Sequence, residues 1–241
     1  EFTDKVYKVI MDILDIKFMN DKTYLLKKFN MSSKQVEKII KEFNYSEYYA
    51  HYKNKKCDKT VEDEQFPVIN LVFYKYIYEN ELIPSPKEIV DLYFEFYESE
   101  LVQEGCNVRF NGSIYKKENI IGRILRTYPS LIRDFHFYLL ATESKMFDKV
   151  FYSYKDDING KDITIKQNDI VYVISLFVNT KRSRGYKIIK NIRRHEYINE
   201  IQLPLNLNEA YKCGDFMLYR KKDLENIKIQ IDKLQQCQRE E

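Results

Sequence analysis

Gly160-Lys161-Asp162-Ile163-Thr164-Ile165, then the apolar run Ile170 to Val178, then Lys181 to Arg194: this stretch decides the reading of the chain. The first piece reads as a turn entering a short strand with an aspartate at its mouth. The second, Ile170-Val171-Tyr172-Val173-Ile174-Ser175-Leu176-Phe177-Val178, is β-branched and aromatic and reads as a buried strand. The third holds seven Lys or Arg and no acid, and its apolar residues Ile188, Ile189 and Ile192 fall at helical spacing. An acid at the start of one strand, a buried strand beside it and a cationic helix after it is a layout suited to phosphate chemistry.

Outward from that stretch, the composition narrows the class. The chain has 241 residues, 44% hydrophobic and 32% charged, enough for a core of its own. Six Gly and five Pro favour long helices over a turn-rich β architecture. Formal net charge is only +3, so affinity for a polyanion has to come from local clusters of cations. Cys57, Cys106, Cys213 and Cys237 are widely spaced without a Cys-x-x-Cys pair. That argues against a zinc knuckle or disulfide scaffold and for a reducing, cytoplasmic setting. No Walker loop, dinucleotide fingerprint, nucleophile elbow or membrane-length apolar run is present. The chain opens Glu1-Phe2 with no initiator methionine, so a fragment with a neighbouring domain is one expected context. Separately, a partner subunit or a homodimer is left open.

The first segment, 1–60, reads as helical. Val6, Val9, Ile10, Ile13 and Leu14 mark one apolar face, a short helix covers about 22–29, and a third runs from Lys34 to Phe43 with Val36, Ile39, Ile40 and Phe43 inward. The last two resemble a helix-turn-helix over 22–43, which would turn Ser33, Lys34, Gln35, Lys38 and Lys41 toward a DNA groove. Residues 44–64 read as a polar loop or linker. The segment 61–128 continues helical. One helix starts near Pro67, and Ser85-Pro86-Lys87-Glu88 forms a capping box for another that runs to about Val102. Asn111-Gly112 marks a hairpin turn, and a helix follows over Lys117 to Thr127. From Pro129 the segment 129–241 is α/β, opening on a helix from Ser130 to Glu143 that puts Ile132, His136, Leu139 and Glu143 on one side. Strands follow from Tyr197 and from Gly214, then an amphipathic last helix through Leu224, Ile227, Ile231 and Leu234. The expected class is therefore α+β: a helical N-terminal half, then a small mixed sheet flanked by helices.

Over about Pro129 to Arg194, helix, strand, strand with a leading Asp, buried strand and helix follow the order of the restriction-endonuclease-like fold. This part of the chain resembles the PD-(D/E)XK nuclease superfamily. The resemblance implies a metal-dependent endonuclease of restriction, defence or mobile-element type, with Asp162 as strand-borne metal ligand and Glu143 as the acid on the first helix. It implies Mg²⁺, which takes hard oxygen ligands and lowers the pKa of a bound water. That family's third strand brings Glu or Gln and then Lys two residues on; here Ser175 and Phe177 stand there instead. Asp169 is then the candidate second carboxylate on the metal, and Lys181 the assisting cation in place of the missing lysine. Otherwise the fold is kept and catalysis is lost. Arg182, Arg184, Lys187, Lys190, Arg193 and Arg194, with Lys34 and Lys38, are the candidate contacts to nucleic acid, DNA being the expected partner.

Each residue also has a plainer reading: Asp162 as a turn residue, Glu143 as a helix-end acid, His136 as an interior histidine, the basic run as a solvated face. Two other functions fit the same residues. One is a non-catalytic DNA-binding or assembly protein, the other a protein-interaction subunit whose basic helix meets an acidic partner.

Overall fold

The computed structural model describes residues 29–53, 61, 64–152, 162–181 and 199–240, and all that follows concerns these. The class is α+β, as expected. Helices α1 (Ser33–Lys41), α2 (Tyr45–Lys53), α3 (Ile69–Asn80) and α4 (Pro86–Phe96) come first. The meander β1 (Val102–Glu104), β2 (Asn107–Phe110) and β3 (Ser113–Lys116) leads into the 28-residue helix α5 (Lys117–Ser144). Then come β4 (Lys149–Phe151), β5 (Ile163–Gln167), β6 (Ile170–Val178), β7 (Glu200–Leu205), β8 (Tyr211–Cys213), β9 (Phe216–Leu218) and α6 (Lys221–Glu240).

Helix α1 starts where capping chemistry places it. The Ser32 side chain accepts from the Gln35 N–H, and the Gln35 side chain accepts from the Ser32 N–H. The stretch read as linker in fact contains α2. Its signal was a stripe of tyrosines: Tyr45, Tyr48, Tyr49 and Tyr52 recur at three- and four-residue spacing. Tyr45 is buried, stacks on Tyr49 at 5.6 Å and packs on Phe216 at 5.3 Å. An apolar face made of phenols is easily mistaken for a polar segment.

The two helices expected on either side of Pro129 are one. Proline lacks the N–H that would bond the carbonyl four residues back, that of Leu125. Here the Tyr45 hydroxyl donates to the Leu125 carbonyl oxygen at 2.8 Å, in a buried setting. Burial above all keeps that phenol protonated, far above the ordinary range, so it stays a donor. The helix ends at Lys145 in a left-handed cap, φ 53°.

The Asn111-Gly112 turn forms as expected, both residues at positive φ (49° and 77°), and β1 adds a third strand to that hairpin. Helix α4 stops at Phe96, short of the expected Val102, which opens β1. The main sheet has the order β4-β5-β6-β7. The first three strands are antiparallel neighbours, and β7 runs parallel to β6 with Val173 opposite Glu200. One face, Ile163, Ile165, Tyr172, Ile174, Leu176, Ile201, Leu203 and Leu205, is wholly buried. Helix α5 packs on β4 and α6 on β7. The β8–β9 hairpin reaches back to the helices: the Asp215 carboxylate accepts the Ser46 N–H at 2.7 Å, and Gly214 (φ 57°) lies against the end of α1. A Cβ at Gly214 would come within 3.2 Å of the Ile40 carbonyl oxygen.

Buried residues of all three sequence segments join one hydrophobic cluster, from Met31 to Ile231. No described helix is long and apolar enough to cross a membrane.

Tyr45→Phe should lower the unfolding free energy by about 1–3 kcal/mol, because the buried Leu125 carbonyl loses its donor. Adding Pro129→Ala should recover most of that loss by restoring a main-chain N–H. Urea unfolding of the two variants and the wild type measures both.

Candidate functional site

Three groups of residues bear on function. The first lies on the less covered face of the main sheet. The antiparallel register sets Ile163 opposite Ile174, so Asp162 enters beside Ser175. Its Oδ2 accepts the Leu176 N–H at 2.6 Å, two residues beyond that last pair. The carboxylate thus extends the ladder at the mouth of β5, a structural use of the turn residue. Alternation puts Asp162, Thr164, Val173, Ser175 and Glu200 on one face, opposite the buried apolar one. Ser175, only 3% exposed, donates its hydroxyl to Glu200 Oε1 at 2.7 Å. Two carboxylates, from the mouths of β5 and β7, are therefore anchored on consecutive residues of β6. Lys181 is exposed and lies three residues past the end of β6, toward the end of the sheet where β5 begins.

The other expected ligand lies elsewhere. Asn168 and Asp169 form the β5–β6 turn at positive φ, 52° and 62°. The five residues of β5 hold Asp169 roughly 17 Å from Asp162. Its side chain is 94% exposed and pairs with Lys166 Nζ at 2.7 Å, which holds its carboxyl below the usual range. The structure does not bring Asp162 and Asp169 together. Sequence reasoning passed over Glu200. It was legible as a strand residue, but its closeness to Ser175 depends on the parallel pairing of β6 with β7.

The second group is the seam between α1 and α5. Glu143, in the last turn of α5, accepts from the Ser33 N–H at 2.6 Å and from the Ser33 hydroxyl at 2.5 Å. It thereby caps the N-terminus of α1, where a negative charge is favoured. Two turns earlier His136 Nε2 lies 3.2 Å from Glu37 Oε1, and the Tyr211 hydroxyl donates to Glu37 Oε2 at 3.0 Å. Burial is the main influence on His136 and lowers its pKa, while the Glu37 carboxylate opposes that. The candidate catalytic acid Glu143 therefore joins α1 to α5.

The third group is the outward side of α1. Lys34, Gln35, Lys38 and Lys41 are exposed there, as expected. None of the three lysines has an acidic partner among the described residues. The first helix of the expected helix-turn-helix lies outside the described residues up to 28. So do Arg182, Arg184, Lys187, Lys190, Arg193 and Arg194.

A metal ion here would be Mg²⁺-like, since hard oxygen ligands are what this face offers. Asp162 and Glu200 fit as ligands in kind, one carboxylate from each flanking strand. Among the described residues no three His, Cys, Asp or Glu side chains are grouped to hold a metal. Comparison of the chain with protein-family models, with curated proteins and with solved structures finds no match.

Glu143→Ala should cost about 1–3 kcal/mol of stability, because a backbone N–H and a buried hydroxyl lose a charged acceptor together. Thermal unfolding followed by circular dichroism measures it. A variant as stable as wild type would return Glu143 to the pool of acids free for chemistry.

Proposed function

We propose that this chain binds nucleic acid, most simply DNA, through the outward face of α1 and the basic run 181–194, as a component of DNA processing. The observation that carries the reading is the ridge Lys34, Lys38 and Lys41. These lysines are spaced four and three residues apart on one exposed helix face and have no acidic partner among the described residues. Cations so placed neutralise phosphates without reading bases, so binding is salt-dependent and largely independent of sequence. Lys181 and, beyond it, Arg182, Arg184, Lys187, Lys190, Arg193 and Arg194 add the densest positive charge in the sequence. In this reading α1 is the recognition helix of a helix-turn-helix, with Lys34 and Lys38 on the polymer.

A second reading is favoured by Asp162 and Glu200 being bonded to consecutive residues of β6, Leu176 and Ser175: a divergent Mg²⁺-dependent endonuclease, of restriction, defence or mobile-element type, on a restriction-endonuclease-like sheet. Asp162 and Glu200 would hold the metal, which would supply an activated water and charge stabilisation at the phosphate. Lys181 would stand near the scissile group. A protein-interaction role for the basic run is the outcome if no nucleic acid binds.

Three phosphate contacts correspond to a salt slope of about −2.7 in log K against log [salt]. Lys34→Ala/Lys38→Ala/Lys41→Ala should therefore flatten the slope by about 2 to 3. Fluorescence anisotropy with a labelled duplex between 50 and 200 mM salt reads it. An unchanged slope removes α1 from the interface, and absence of binding at low salt by the wild type removes the reading.

Cleavage is tested separately with Asp162→Asn. The amide can still accept the Leu176 N–H, so the fold should hold while a metal ligand is lost. Nicking of plasmid in Mg²⁺ or Mn²⁺ that disappears in this variant supports the endonuclease. Nicking that persists in the variant does not come from this site.

A further inference from the structure

The seam between α1 and α5 contains a histidine whose protonation the fold does not accommodate. His136 is 1% exposed. Its Nε2 faces Glu37, but its Nδ1 is buried without a hydrogen-bond partner. The neutral ring with its proton on Nε2 suits this: it donates to the Glu37 carboxylate and leaves a bare lone pair on Nδ1. Protonation places a second N–H on Nδ1, in a spot with no acceptor, and burying an unpaired donor is costly.

The seam joins the buried apolar residues Val36 and Ile40 in holding α1. Glu37 joins three elements: α1 itself, α5 through His136, and β8 through Tyr211 and through the Cys213 thiol, whose sulfur lies 3.4 Å from the Glu37 carbonyl oxygen. The ionisable groups around His136 are thus Glu37 from α1, Tyr211 and Cys213 from β8, and Glu143 from its own helix. Of the cations, Lys41 of α1 acts on Cys213, and Arg133, buried one turn before His136 on α5, donates to the Met217 carbonyl. Tyr211 and Cys213 are both shifted upward, Tyr211 chiefly by its bond to Glu37 and Cys213 chiefly by burial. Neither changes charge in weak acid.

We infer that His136 makes the seating of α1 acid-sensitive: when the imidazole takes up a proton, α1 loosens from α5 and β8 while the rest of the fold stays closed. The inference concerns how α1 is held and stands whether or not α1 touches nucleic acid. The sign follows from linkage. Burial lowers the histidine's pKa in the closed state below its ordinary 6.5. The stability it lends is therefore complete above that value and is lost as pH falls below it.

Hydrogen exchange on the intact chain, read by mass spectrometry and corrected for intrinsic rates, tests this on peptides of α1 and of α3. Between pH 7.5 and 5.5 the protection of α1 should fall by up to about tenfold while that of α3 holds. In His136→Gln, which keeps a donor toward Glu37 but cannot titrate, α1 should show no such fall. Equal loss in both helices, no loss in α1, or an undiminished fall in the variant overturns the inference. If the variant does not fold, NMR of a chain that keeps His136 answers, since there are only three histidines, His51, His136 and His195. With the other two replaced by Gln to assign the signals, a His136 ring titrating below 6.5 supports the inference. A midpoint at or above 6.5 overturns it.

Discussion

The longest helix of the structure relies on a hydroxyl borrowed from another one. Tyr45 supplies to the Leu125 carbonyl the hydrogen bond that Pro129 withholds, and α5 therefore runs unbroken through the middle of the molecule. Much of the structure is arranged on that helix. It packs against α1, α2, α3 and α4 on the helical side, and against β3, β4 and β9 among the strands. Tyr128, beside the proline, donates to the Pro84 carbonyl, and Phe137 packs on Tyr219 at 4.9 Å. A break at Pro129 would divide these contacts between two short helices and uncouple the N-terminal half from the sheet. One donor from α2 satisfies the carbonyl that the proline leaves open, so the helix that was hardest to see in the sequence supports the longest one.

What could be read from the sequence, and what could not, follows from the range of each cause. Local chemistry was legible: the capping box at Ser85, the Asn111-Gly112 turn and the apolar strand Ile170 to Val178 form where their residues say they should. Failures arose where a distant partner decides. Pro129 looks like a helix start, and nothing nearby in sequence shows that a tyrosine 84 positions earlier cancels its defect. Helix α2 hid behind phenols set among polar residues, which pack on the aromatic core. At the site, the chemistry of Asp162, Glu143 and the lysines was visible, but their positions relative to one another were not. The strand register moves Asp169 to the far end of a hairpin, while the parallel pairing brings Glu200 in.

The acids near the sequence's functional signals mostly serve the fold. Asp162 takes a backbone N–H, Glu143 caps a helix, and Glu37 ties three elements together. Such engagement does not by itself remove a carboxylate from chemistry, since each has two oxygens and several lone pairs. It does limit where the group can point. Asp162 and Glu200 are fixed on neighbouring residues of β6 and can act only on something that approaches that face of the sheet. Glu143 points into a seam between helices.

Charge is sorted by side on α1. Its acid Glu37 and the borrowed acid Glu143 are drawn to the inner face by Tyr211, His136 and the helix N-terminus, while Lys34, Lys38 and Lys41 stay on the outer one. Had those carboxylates been free, they would have neutralised the lysines within a few ångströms. Held inside and hydrogen-bonded, they do not pair with the lysines, although Glu42 and Glu81 line a pocket with Lys38 and temper the field at that end. In a chain of nearly balanced charge, a local surface of one sign requires that opposite charges be occupied elsewhere. The seam with α5 does this for α1, so the hydrogen bonds that hold the helix in place also leave its outer face cationic.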